Sequence, residues 1–336
     1  MRKGLAVEAL AMAVKNLQVE LRRMERSESS FLEAYRRARL NAFQLEFLAK
    51  FLRKSKTSNR EIFEVLHATT KEIEDRLGAF NETDELITLC EKQDIHLGPK
   101  KTAADHYIHR RHKEWKILNS WLKASGWYKQ KSHEIQELLN GLEDYQPKEL
   151  RDSALKKMIK VTTELQAAVD SGDYSPKRQS GYQVPEVERK VHELRREIRK
   201  IPMYASYLPG LFTLTSEKVP GSIFYQPLAK TALAKSDYAK LPAVTVNRPL
   251  KISLYHYLAI NRYVQELGVA KDWAQNLERL RKDGLSGEVS YDQLDLSLRD
   301  AFGCPVPFNE LVSRIIGEIR SNRIFESMSG YFEKQR

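Results

Sequence analysis

Before Pro99 the chain holds no proline, and apolar residues recur there with the period of an α-helix: Val7, Leu10, Val14, Leu17 and Leu21 share one face. A stretch this long, with neither strand alternation nor frequent turn residues, buries its apolar stripes against other helices. Only 15 Gly and 12 Pro occur in 336 residues, and Leu, Ala, Glu, Lys and Arg dominate. The expectation is an all-α chain, and its length suits two helical bundles.

Turn and cap residues divide the pattern. Ser27-Glu28-Ser29-Ser30 offers N-cap oxygens for a helix from about Ser30 to Lys54, and Thr57-Ser58-Asn59 for a third that runs to Leu77. Gly78 allows a kink or a stop there, and helix resumes from Glu82 to Gln93. Gly98-Pro99 breaks the chain. Helices then cover Lys101 to Ser125, His133 to Leu142 and Pro147 to about Val169. Ser171 to Pro185 is rich in Ser, Gly and Pro and lacks periodicity, so it reads as a linker. The expected domains are residues 1–170 and 186–336, joined by 171–185. In the second, an irregular stretch from Thr213 to Pro249 precedes helices at Leu250 to Asp283, Tyr291 to Phe302 and Pro307 to Phe332.

A net charge of +11 and a pI near 9.4 favour polyanionic partners: nucleic acid, anionic membrane or phosphate chains. Cys90 and Cys304 alone make neither a disulfide framework nor a zinc site, which fits a reducing compartment. The opening MRKGLAVEALAMAV has the basic start of a signal peptide, but Glu8 and Lys15 interrupt it, and it reads as an amphipathic helix. The longest uncharged run, Ile201 to Ser216, holds Pro202 and Pro209 and is short for a membrane span.

Where the charge sits is more informative than its sum. VHELRREIRKIPMY, Val191 to Tyr204, puts His192, Arg195, Arg196 and Arg199 at i, i+3, i+4 and i+7, one face of a helix. Val187, Val191, Leu194, Ile198 and Ile201 make a separate apolar stripe, so the cations stand off the core. Glu188, Glu193 and Glu197 could pair with neighbouring bases, which would make the face an ordinary solvated one. The register returns at His109, His112, Lys113 and Lys116, within a segment where nine Lys/Arg face two acids, Asp105 and Glu114. Like charges on one helix face repel, and a bound anion removes that cost. Arg grips phosphate oxygens bidentately, and Lys supplies point charge.

Other chemistry finds less footing. His106, His109 and His112 could hold a metal, but Arg110, Arg111 and Lys113 beside them oppose a divalent cation. Glu186-Val-Glu188-Arg-Lys190 matches a triphosphate-tunnel motif that belongs on a β-strand, and here it lies in a helical context. No P-loop, GxSxG or HExxH occurs. No nucleophile–base pair or metal-carboxylate cluster stands out, so no catalytic residue, metal ligand or cofactor is expected.

The two halves also echo each other. YRRARLNAFQLEFLAKFL (Tyr35 to Leu52) precedes Leu77-Gly78 with Glu82, and RREIRKIPMYASYLPGLF (Arg195 to Phe212) precedes Leu267-Gly268 with Asp272. This tandem scheme resembles the conserved histidine α-helical domain, or CHAD, family. That family carries a His-x-x-Arg helix with further bases, then a Leu-Gly-x-x-x-Asp helix, twice over. His192, Arg195, Arg196, Arg199, Lys200 and Tyr204 fall where the family has its His, bases and Tyr, and Met203 stands where it usually has another Arg. Leu267-Gly268-Val-Ala-Lys271-Asp272 fits the second motif. In the first copy, Arg36-Arg37-Ala-Arg39 resembles the family's Arg-Arg-Leu-Arg. Counting back from it, Ser29 replaces the His and Leu32 the first Arg, while Asn81-Glu82 replaces the base-Asp pair.

The resemblance implies two four-helix-core bundles related by pseudo-twofold symmetry, whose basic faces line a groove for inorganic polyphosphate. It implies a non-catalytic binder in the cytoplasm, possible at polyphosphate granules, with Arg36, Arg37 and Arg39 contributing from the first half. A nucleic-acid-binding module or a metal-dependent enzyme of phosphate metabolism are the other classes the same bases would serve.

Overall fold

The computed structural model describes residues 5–53, 60–93, 96–98, 101–140, 142, 146–174, 184–208, 210–283 and 308–336. The chain forms two compact units, Met1–Pro147 and Lys148–Arg336. It is all-α as expected, apart from two short strand pairs among the described residues.

The first unit is a bundle. Helices α1 (Leu5–Met24), α2 (Glu28–Arg53), α3 (Arg60–Gln93) and α4 (Ala103–Ala124) pack in sequence order, and α5 (Gln130–Asn140) lies against α1. Strands β1 (His96–Gly98) and β2 (Lys101–Thr102) form the reversal before α4. The apolar stripe of α1 is the inward face: Val7, Leu10, Val14, Leu17 and Leu21 are all buried. Ser27 Oγ accepts from the Ser30 N–H at 3.2 Å and caps α2. Thr102 does the same for α4, accepting from the Asp105 N–H at 3.0 Å. Helix α3 runs unbroken through Gly78, where the sequence suggested a stop or kink. The glycine serves a different purpose, described below.

The second unit contains α6 (Pro147–Ser171), α7 (Val184–Tyr207), β3 (Phe212–Thr215), a 3-10 helix (Ser222–Lys230), the single turn α8 (Ala232–Lys235), β4 (Leu250–Ser253), α9 (Leu254–Lys282), α10 (Phe308–Asn322) and α11 (Ile324–Glu333). Helix α9 is its centre: α7, the 3-10 helix and α10 all pack on it. Residues 250–253, expected to open that helix, instead pair in parallel with β3. The outer edge of β4 is closed by one side chain. The Gln335 carboxamide accepts from the Lys251 N–H at 2.7 Å and donates to the Lys251 carbonyl at 2.9 Å, standing in for a further strand.

The units divide at Pro147/Lys148, not within 171–185, so α6 belongs with the second unit. The Arg151 guanidinium donates to the carbonyls of Arg248 at 3.1 Å and Gln335 at 2.7 Å, and Arg320 donates to the Val169 carbonyl at 2.7 Å. Linker composition is a local signal, whereas the boundary depends on which partner buries the α6 stripe of Leu150, Leu155, Met158 and Leu165. Residues 175–183 of the expected linker, the expected cap at 57–59 and the expected helix at 291–302 lie outside the described residues. No helix among the described residues is long and apolar enough to cross a membrane.

Candidate functional site

Helix α7 keeps the two stripes apart as its periodicity requires. Val191, Leu194, Ile198 and Ile201 are at most 1% exposed and face α9. Each such burial contributes about 1.5–3 kcal/mol. On the other stripe, His192 and Arg196 are exposed, and Arg195, Arg199 and Lys200 are half-buried. Arg195 lies flat against α9. Its Nε donates to the Val264 carbonyl at 3.1 Å, and a Cβ placed on Gly268 would stand 3.0 Å from that Nε and 3.2 Å from Nη2. Glycine is therefore what allows the guanidinium to cross α9 at this point.

One turn further along α9, Lys271 stands beside Asp272 at 3.1 Å, its side chain 16% exposed. Although the His192 ring keeps an open edge, desolvation by its packed surroundings holds the imidazole below its usual value, and Lys271, Arg196, Arg195 and Arg199 add repulsion in the same direction. Five basic side chains from two helices thus share one field. Glu197 tempers one flank of it, pairing with Lys200 and lying 3.8 Å from Arg196.

In the first unit, too, bases meet carboxylates. Arg36 donates to Asp84 at 2.8 Å and to the Tyr35 hydroxyl at 2.9 Å, and Arg111 reaches the same Asp84 at 2.6 Å. Arg37 lies 3.4 Å from Glu20, Arg39 donates to Glu74 at 3.3 Å, and His112 Nδ1 is 3.0 Å from Glu28. His109, Lys113 and Lys116 are exposed on α4. Much of the cationic pattern read there from spacing is therefore matched by carboxylates of the same unit.

Arg39 also crosses a glycine. A Cβ on Gly78 would stand 3.3 Å from its Nη2 and 3.4 Å from its Nε. The acceptor of its Nε, Glu74, lies four residues before Gly78, just as Val264 lies four before Gly268. This local correspondence pairs Arg39 with Arg195 and Arg36 with His192. It differs by seven residues from the alignment drawn from sequence, which put Ser29 at the His position and Leu32 at the first Arg. Seven residues are nearly two full turns, so a slip of that size returns each side chain to within about 20° of its face. Periodicity alone has no means of detecting it.

Two residues of the α9 side, Lys271 and Gly268, were readable only as parts of a Leu-Gly-x-x-x-Asp string. Lys271 follows the glycine by three residues, one helical turn, and that spacing was the available signal for its joining the cluster. Among the described residues, no group of three or more His, Cys, Asp or Glu could hold a metal ion. No family model matches the chain, and neither a curated protein nor a solved structure matches it.

Proposed function

We propose that this protein binds inorganic polyphosphate, without catalysing a reaction on it, through the cationic face shared by α7 and α9. The observation that carries the reading is geometric: His192, Arg195, Arg196 and Arg199 share one face of α7, and Arg195 crosses α9 at Gly268, one turn before Lys271. Holding like charges together costs free energy, and a bound polyanion turns that cost into attraction. Arginines one turn apart, about 5.4 Å along the axis, suit successive oxyanions on a linear chain. Within the first unit, Lys113 and Lys116 are also exposed on α4. With this reading goes a cytoplasmic place at polyphosphate granules.

The test is competition for bound, fluorescently labelled polyphosphate at fixed salt. Unlabelled polyphosphate should displace the label at lower phosphate concentration than a mixed-sequence oligonucleotide does. Stronger displacement by the oligonucleotide would move the site to nucleic acid, whose backbone the same bases can hold. Phosphate release that depends on added magnesium would make the protein an enzyme.

A further inference from the structure

Helix α7 carries an acid at the edge of its cationic face. Glu197 follows Arg196 directly and precedes Lys200 by three residues, so it borders both. The Lys200 Nζ donates to Glu197 Oε2, while the Arg196 Nε stands 3.8 Å from Oε1, beyond hydrogen-bond reach. The Glu197 side chain is 26% exposed, against 36% for Lys200 and 59% for Arg196, so it sits deeper in the surface than either cation. More negative charge gathers on the same side. Tyr174, just after α6, has its hydroxyl raised first by burial and then by Glu197, Glu193 and Asp173. Burial pushes the Tyr204 hydroxyl on α7 up to about 12, and Glu197 adds to it. The face therefore has an electrical edge, with bases toward α9 and acids toward the end of α6.

We infer that Glu197 sets the edge of the polyanion site: it holds Lys200 as an internal counter-anion, so that a bound phosphate chain runs over Arg196 and not over Lys200. This inference rests on the proposed polyphosphate site and names what bounds it.

The physical reason is competition. Glu197 is tethered one turn from Lys200 on the same helix, so its effective concentration at that ammonium is high. A phosphate chain that took Lys200 would have to displace the carboxylate and leave it unpaired beside further negative charge. The pairing with Arg196 is looser, and that guanidinium turns outward to a ligand with little lost. Glu197→Gln keeps the shape of the side chain, removes its charge and frees Lys200 to join the site.

The experiment measures long-chain inorganic polyphosphate binding to the full chain by fluorescence anisotropy at neutral pH, in a cycle of E197Q and K200Q, singly and combined, with R196A for comparison. Circular dichroism checks each fold. Arg196→Ala should weaken binding roughly tenfold, the loss of one charge-assisted contact. Lys200→Gln by itself should change affinity by less than about twofold, because its charge is already matched. Glu197→Gln should tighten binding roughly three- to fivefold, the scale of one surface ion pair. It should also steepen the dependence of log affinity on log salt by about one unit, because one more cation meets the chain. Most of that gain should vanish in the Lys200→Gln background, since it acts through the freed ammonium. A Lys200→Gln loss as large as that of Arg196→Ala, no gain from Glu197→Gln, or an equal gain with and without Lys200 would each overturn the inference while leaving the binding site standing. Absence of polyphosphate binding by the unsubstituted chain would overturn both.

Discussion

Asp84 accepts the Tyr35 hydroxyl at 2.7 Å, across 49 residues of sequence. Its second oxygen takes Arg111 at 2.6 Å, and Arg36 donates to the first at 2.8 Å. Burial by itself would raise the Asp84 carboxyl, but the hydrogen bonds and the two guanidinium charges outweigh it and hold the group below its usual value. Because the folded value is depressed, this stabilisation is present above the unfolded carboxylate range and is lost as pH falls through the folded value. Asp84→Ala should destabilise the first unit by about 3 kcal/mol, since it leaves two cations against a partly buried site. Urea unfolding measures it. A change of a few tenths of a kcal/mol would place the cluster with ordinary surface pairs.

His256 on α9 sets a second acid limit. It is 1% exposed, hydrogen-bonds the backbone at Pro220, and its Nε2 has no partner among the described residues. Burial lowers its value from 6.5 to about 4. Between those values the unfolded chain binds the proton and the folded chain does not, so stability should fall as pH drops from 6.5 toward 4 and be unaffected by this group above it. The loss amounts to roughly 3 kcal/mol at the acid end. Melting temperature against pH reads it out, and His256→Leu should flatten the curve over that window.

Replacing Arg195 and Arg199 together by Ala should weaken polyphosphate binding; both lie outside the Val191–Leu194–Ile198 stripe, and the lost Arg195–Val264 hydrogen bond should cost the fold only about 1 kcal/mol, which urea unfolding measures alongside. Each lost charge-assisted contact should cost about 1.5–3 kcal/mol, and the salt dependence should become shallower as fewer counterions are released. The control is Arg22→Ala with Arg23→Ala on α1, where Arg23 already faces Glu20 at 3.3 Å. Equal losses in both would mean diffuse attraction by net charge.

Polyphosphate binding should also take up a proton at His192. Desolvation and the cations of Lys271, Arg196, Arg195 and Arg199 depress its basicity in the unliganded chain. A polyanion on the same face opposes that repulsion and raises it. Between the two values, affinity should therefore increase as pH is lowered, by about tenfold for each unit separating them. His192→Gln should remove this dependence. Titration calorimetry in buffers of different ionisation enthalpy checks the proton uptake directly.

The helical elements, the inward stripe of α1 and the separation of cations from core on α7 were legible because each is a property of one helix and its period. The recurrence of an arginine helix and a Leu-Gly helix was legible for the same reason. What the period leaves open is anything that repeats after a whole number of turns. A seven-residue shift, as between Leu32 and Arg39, keeps each side chain near its face, so the period does not show which of them lies over a glycine as Arg195 does. The same holds for charge. Nothing local to Arg36, Arg39 or His112 says that Asp84, Glu74 and Glu28 will meet them, 48, 35 and 84 residues away in sequence. Likewise, α6 carries its own apolar stripe whichever unit it joins. Tertiary packing decided these matters, because the free energy of an ion pair or a buried stripe depends on which partner is brought within a few ångströms, and helices far apart in the chain supply that partner.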